Sequence, residues 1–181
     1  ERAVYDNIQY AFSVKDYVRF RLTGEAYSEA TDISGSGLMN VRDASFDRDI
    51  LEKLGIGEAY EMLPPLRYSY DLCGTISEEA AELTGLPAGT PVAGGMFDID
   101  ACAVAVDITS PEKMCTIAGT WSINEHISEA PGMDGSIAMN SLFAMPGYSL
   151  VEECSGTSSG TLEWYLESGM DHEPRPEGEN M

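Results

Sequence analysis

The apolar positions of this chain fall into short clusters separated by Gly, Pro, Ser and acidic residues, so the predicted elements are short. Residues 1–24 predict helix. Ile8, Ala11 and Phe12 share one face, and Val14, Tyr17, Val18 and Leu22 line a second stripe that Gly24 stops. Ser13 followed by Asp16 resembles a capping box at the start of that second helix, with Arg19 and Arg21 expected on its solvated face. Residues 25–46 are polar and Gly/Ser-rich and predict a loop, with Asp32 as a structural acid. Residues 47–54 predict a short helix with Ile50, Leu51 and Leu54 inward and Gly55 after its end; Pro64 and Pro65 exclude helix beyond it. Residues 73–76 read as a brief strand. Ser77 then caps a helix whose first turn holds Glu78 and Glu79 and which Gly85 ends.

Residues 91–106 are the centre of the pattern. An apolar run reaches Gly94-Gly95 and fits a buried strand, and Ala101 to Val106 start a tightly packed helix. Asp98 and Asp100 stand at the junction. A carboxylate there sits where the backbone turns and a ligand can approach, although Asp98 can equally be a helix N-cap. Asp100 is the rival: in phase with Asp98 if the strand continues, rotated away if the helix has begun. Residues 107–112 form a turn-rich joint, where the domain boundary is placed. Two strand-like runs, 114–118 and 121–126, flank Gly119-Thr120. That pair can turn its amides and hydroxyl to a phosphate or be an ordinary hairpin turn. Residues 129–148 predict strands and loops of a small β layer, and 149–154 a further strand. The small-residue loop Ser155 to Gly160 opens a helix at Thr161; it offers an anion or nucleotide site, or a simple cap. Residues 171–181 are polar and Pro-rich, which predicts a loop or tail.

Composition narrows the partners. The 181 residues suffice for one domain or pieces of two. A net charge of -21 argues against nucleic acid and against an anionic membrane. A phosphate ligand would then be held by local amides, a metal ion or a few bases. Cys73, Cys102, Cys115 and Cys154 form no C-x-x-C pair, as expected of reduced thiols in a cytoplasmic protein. With two His residues a zinc site is not expected, and no residue is assigned as a metal ligand. Ser34-Gly35-Ser36-Gly37 lacks both a preceding apolar strand and a Lys-Ser/Thr ending, which favours a packed loop over a P-loop. No apolar run reaches membrane-spanning length.

The motifs share one resemblance. Gly94-Gly95-Met96-Phe97-Asp98 with Ala101 resembles the Gly-Gly-(x)-(x)-Asp-(x)-(x)-Ala segment of the FGGY carbohydrate kinases, closest to their L-xylulose or 3-keto-L-gulonate kinase branch. Lys15-Asp16-Tyr17-Val18-Arg19-Phe20-Arg21-Leu22-Thr23-Gly24 is similar to another segment of that family, as is the run from Gly74 through Gly95. The resemblance implies an α/β, actin-like and ribonuclease-H-like two-domain sugar kinase fold, both domains incomplete. Residues 1–107 would be the later part of the sugar-binding domain and 108–181 the first part of the ATP-binding domain. It implies ATP-dependent phosphorylation of a ketose or related polyol, with Mg²⁺. Asp98 would be the general base, beside Phe97 and Ile99 in the sugar site; Ile99 stands where many members carry a polar residue. Gly119, Thr120, Ser159, Gly160 and Glu163 would flank the nucleotide, and the domains would close about Asp107. Self-association into a homo-oligomer is left open. The family's leading Asp-(x)-Gly-Thr hairpin and its Gly-rich adenine segment have no counterpart here, so the chain is expected to be a middle fragment, inactive alone. The alternatives are a non-catalytic sugar- or nucleotide-binding module and an acidic structural protein, which explains the charge but not the motif order.

Overall fold

A computed structural model describes residues 2–133, 135, 137 and 139–170, and the predicted tail at 171–181 lies outside them. α1 (Arg2–Tyr5) is a single turn, and residues 8–13 leave the helix before α2 (Val14–Thr23). The second helix expected after Ser13 is present, but the helical reading of the residues before it fails at 8–13, where tertiary contacts take over. The Ala11 amide donates to the Met62 carbonyl at 2.8 Å, and Phe12 stacks on Phe20 with centroids 5.1 Å apart. Ser13 caps α2 as expected, accepting from the Asp16 amide.

The buried face of α2 is its polar one. Asp16 and Arg19 are buried, whereas Val14, Tyr17 and Val18 are 83%, 48% and 53% exposed. This reverses the expected stripe and corrects the placing of Arg19 in solvent. Arg19 can be buried because Asp16 pairs with it at 2.9 Å and the Gly94 and Tyr27 carbonyls each accept from one of its terminal nitrogens, while its Nε has no partner among the described residues.

The predicted loop at 25–46 contains β1 (Ser28–Glu29), α3 (Ala30–Ser34) and the hairpin of β2 (Met39–Asn40) with β3 (Ser45–Phe46). The buried Glu29 carboxylate caps α3 by accepting from the Thr31 and Asp32 amides. α4 (Arg48–Lys53) buries Leu51, but Leu54 falls at its C-cap and is 60% exposed rather than inward. β4 (Leu66–Arg67) runs parallel to β1. β5 (Leu72–Thr75), α5 (Glu78–Thr84, capped by Ser77) and β6 (Pro91–Ala93) follow the sequence expectation closely. β6 is not a buried strand, however. It pairs with β5 in a two-stranded sheet that leaves Pro91 and Ala93 exposed.

α6 (Asp98–Ala105) begins at Asp98 rather than at Ala101, and only Asp100 and Ala103 of it are buried. After it come β7 (Cys115–Ala118), β8 (Ser122–Ser128), β9 (Met139–Leu142), β10 (Ser149–Ser155) and α7 (Ser159–Tyr165). The four strands form an antiparallel sheet in the order β7-β8-β10-β9. Ala103 of α6 packs with Ile108, Cys115, Ile127, Phe143 and Leu150, so α6 lies on this sheet. A second cluster joins Ala30, Ile33 and Met39 to Leu142 of β9. Two apolar contacts thus connect the halves on either side of the 107–112 joint.

Candidate functional site

The turn carrying Asp98 is held by side chains from distant sequence. Arg19 Nη1 donates to the Gly94 carbonyl at 2.7 Å, and the Gly94 amide donates to the Asp71 carbonyl at 3.0 Å. The Phe97 amide donates to Thr31 Oγ1 at 2.8 Å, and that hydroxyl donates to Glu29 Oε2 at 2.8 Å. Glu29 also accepts from Ser69 Oγ at 2.9 Å and pairs with Lys15 Nζ at 3.1 Å. A buried Asp16–Arg19 pair and a buried Glu29 therefore fix the backbone from Gly94 to Phe97, which aims α6.

Phe97 takes the N-cap position of α6 with no side-chain cap bond, so Asp98 is the first helical residue and not its cap. Its side chain is exposed and accepts only from the neighbouring Ile99 amide, at 2.9 Å, among the described residues. It opens on a cavity of about 480 Å³ lined by Ser13, Val14, Lys15, Asp32, Met96, Phe97 and Asp98. Phe97 and Asp98 are brought together there as expected. Ile99 is not: the helix has already begun, and its rotation packs Ile99 against the core of α6 and the sheet.

Asp100 does not share the exposure of Asp98. It is wholly buried, with Oδ1 accepting from the Ala144 amide at 2.8 Å and Oδ2 without a partner among the described residues. Burial pushes its carboxyl up to about 8, outweighing the Ala144 bond that acts the other way, and the facing Glu29, Glu152 and Glu125 carboxyls push it further. Glu152 is pushed up to about 7 by burial, against a bond from Ser141 Oγ at 3.1 Å, and Glu125 is raised by burial as well.

The residues expected at the nucleotide also meet. Gly119 and Thr120 form the turn between β7 and β8, and the Ser159 amide donates to the Gly119 carbonyl at 3.1 Å. The Gly119 amide is engaged by the Trp121 carbonyl at 3.0 Å, which leaves the exposed Thr120 hydroxyl as the turn's polar group. Gly160 and Glu163 lie exposed on α7. Among the described residues no three His, Cys, Asp or Glu side chains are grouped to hold a metal ion.

Residues 1–105 match the pattern of the FGGY family of carbohydrate kinases, N-terminal domain. The chain belongs to this family. It is 34% identical over 163 residues to a probable L-xylulose kinase of Pasteurella multocida (strain Pm70), covering 90% of this chain and 34% of that protein. It is 36% identical over 163 residues to the L-xylulose/3-keto-L-gulonate kinase of Escherichia coli (strain K12), covering 89% of this chain and 32% of the relative. The xylulose kinase structure from Rhodospirillum rubrum superposes with a TM-score of 0.83 at 24% identity, over 95% of this chain and 35% of that one. The fold is therefore the actin-like sugar kinase fold, and the chain spans about a third of the length of these relatives.

In this FGGY chain the sequence reading missed the residues that hold the site rather than those that face it. Arg19, Glu29 and Thr31 gave no periodic signal because they bury polar groups. The one sequence cue was the Asp16–Arg19 pair, spaced to meet on a single helix face. The four cysteines are free, Cys73 and Cys115 buried and the other two exposed. No helix among the described residues is long and apolar enough to cross a membrane.

Proposed function

We propose that the polypeptide carrying this chain transfers a phosphoryl group from ATP to a hydroxyl of a ketose or related polyol, with L-xylulose-type sugars preferred. The observation that carries the proposal is Asp98: an exposed carboxyl, unpaired among the described residues, on a backbone pinned by Arg19 and Thr31 and facing a cavity of sugar size. A carboxylate so placed can accept the proton of the attacking hydroxyl, and general-base help of this kind is worth ~10²–10⁴-fold in rate. Phe97 offers an apolar wall, and Lys15, Asp32 and Ser13 the polar groups for sugar hydroxyls. The names of the relatives support the substrate class.

On this reading residues 1–107 belong to the sugar-binding domain and 108–181 to the ATP-binding domain. Asp107, at φ 62°, marks the joint about which closure excludes water. The Thr120 turn, Ser159, Gly160 and Glu163 flank ATP. A metal ion bound with ATP would neutralise phosphate charge. We place the reaction in the cytoplasm, in line with the free thiols.

The test is ADP release with Mg-ATP and a panel of ketoses and polyols, on this chain and on a polypeptide of the relatives' full length that contains it. Sugar-dependent ADP release is expected from the longer polypeptide. Asp98→Asn should abolish transfer while sugar binding survives; near-normal turnover in that variant would overturn the role of Asp98. The alternative, a binding module without transfer, is recognised by sugar binding with no ADP release from either polypeptide.

A further inference from the structure

The edge strand of the sheet, β9, ends beside the first half of the chain, and two side chains from that half accept from amides at its end and in the bend that follows. The Leu142 amide donates to Ser34 Oγ at 2.8 Å, and the Ala144 amide donates to Asp100 Oδ1 at 2.8 Å. Leu142 is the last residue of β9 and Ala144 lies in the bend after it, so Ser34 and Asp100 together tie the exit of this edge strand to the first half of the chain. Asp100 sits in the first turn of α6, two residues beyond Asp98.

We propose that Asp100 is a positioning residue for phosphoryl transfer: its bond to the Ala144 amide clasps the turn carrying Asp98 to the sheet of the second half. This inference rests on the kinase reading for its catalytic consequence, though not for the clasp itself. The surroundings define the state in which the clasp holds. Asp100 is wholly buried, its Oδ2 has no partner among the described residues, and it faces Glu29 from β1, Glu125 from β8 and Glu152 from β10. Lys15 and Arg19 are engaged by Asp16 and Glu29. A carboxyl in that setting holds its proton at neutral pH. A neutral acid keeps a carbonyl oxygen for Ala144; an ionised one would bind that amide more strongly, but burial and three facing acids outweigh that gain and drive it toward water, opening the contact.

The full-length polypeptide, unsubstituted and as Asp100→Ala and Asp100→Asn, tests this by steady-state kinetics across pH. Asp100→Ala should lower kcat at least tenfold with the sugar KM within threefold. Asp100→Asn, which keeps the acceptor oxygen without the charge, should restore kcat to within threefold. It should also remove an alkaline fall in kcat centred near pH 8 that the unsubstituted protein shows. Unchanged kcat in Asp100→Ala, Asn no better than Ala, or the same alkaline fall in Asp100→Asn would overturn the proposal. Hydrogen exchange at the Ala144 amide is read on the same three proteins, and it separates this result from failure of the kinase reading. Protection in the unsubstituted protein and in Asn, lost in Ala, shows the clasp whether or not any sugar is phosphorylated. An unprotected Ala144 in the unsubstituted protein refutes it. If Asp100→Ala does not fold, the comparison of Asn with the unsubstituted protein across pH 8 decides alone.

Discussion

Glu152 on β10 stands directly opposite Glu125 on β8, and both carboxyls are wholly buried. Like charges in directly opposed positions destabilise a sheet, and both Glu125 oxygens lack a partner among the described residues. The pair is tolerable because burial raises both groups, so that protons remain where two charges would repel.

That pair makes stability depend on pH with a defined sign. The Glu152 carboxyl is raised from an ordinary 4.5 to about 7. Between those values the folded protein holds a proton that the unfolded chain has lost. Stability is full below the lower value, falls as pH rises, and levels off above about 7. The slope for one such group is at most about 1.4 kcal/mol per pH unit. Glu152→Gln keeps an oxygen for Ser141 and removes the titration. Its denaturation midpoint should change less than that of the unsubstituted chain when urea melts at about pH 5 and pH 8 are compared; parallel shifts in both would refute the assignment.

Arg19 and Arg21 sit on the same helix and should respond oppositely to truncation. Removing Arg19 takes from the buried Asp16 carboxylate its shortest ion pair, leaving Lys15 at 3.4 Å and the Glu29 amide at 3.0 Å, and takes a donor from the Gly94 and Tyr27 carbonyls. Breaking a buried pair from one side costs about 3–5 kcal/mol. Arg21 is exposed and its recorded bond is to the Tyr17 hydroxyl at 3.3 Å, so Arg21→Ala should stay within about 0.5 kcal/mol. Equilibrium unfolding of Arg19→Ala and Arg21→Ala side by side checks both.

Gly94 is required for room. A Cβ at this position would run into the Tyr68 carbonyl oxygen and lie 3.1 Å from its carbon, with the Glu29 side chain at 3.3 Å. Backbone cannot yield as a flexible side chain can. Gly94→Ala should therefore destabilise by about 1–3 kcal/mol and displace the loop leading to Asp98. In the full-length polypeptide it should lower kcat beyond any loss of folded protein. Normal kcat per folded molecule would show that the loop tolerates the shift.

What the sequence disclosed and what it hid follow one physical line. Caps and stops are local chemistry, so Ser13, Gly24, Ser77 and Gly85 marked helix ends correctly. The Gly94-Gly95 turn and Asp98 were visible for the same reason. Burial is not local. The stripe of Val14, Tyr17 and Val18 has a helical period and suggested a core, yet the folded chain buries Asp16 and Arg19 instead. Long-range pairs decided that outcome: Glu29 with Lys15, Thr31 with the Phe97 amide, Asp100 with the Ala144 amide. Each joins residues that no short window contains. The same limit hid the start of α6 at Asp98, which turns Ile99 toward the core.

Gly160 separates a structural from a nucleotide role for the loop before α7. A Cβ there meets nothing within 4 Å and the residue lies within a helix, so the fold has no need of glycine. Ala at such a position should stabilise by roughly 0.5–1 kcal/mol. The Ser159 amide ties this turn to Gly119, which brings the helix start beside the β7–β8 turn expected to meet ATP. If ATP lies against that surface, an added methyl group intrudes on it. Gly160→Ala in the full-length polypeptide should then melt no lower than the unsubstituted protein and raise the KM for ATP several-fold, with the sugar KM unchanged. An unaltered ATP KM would remove Gly160 from the nucleotide site and leave Thr120 and Glu163 to be tested in its place.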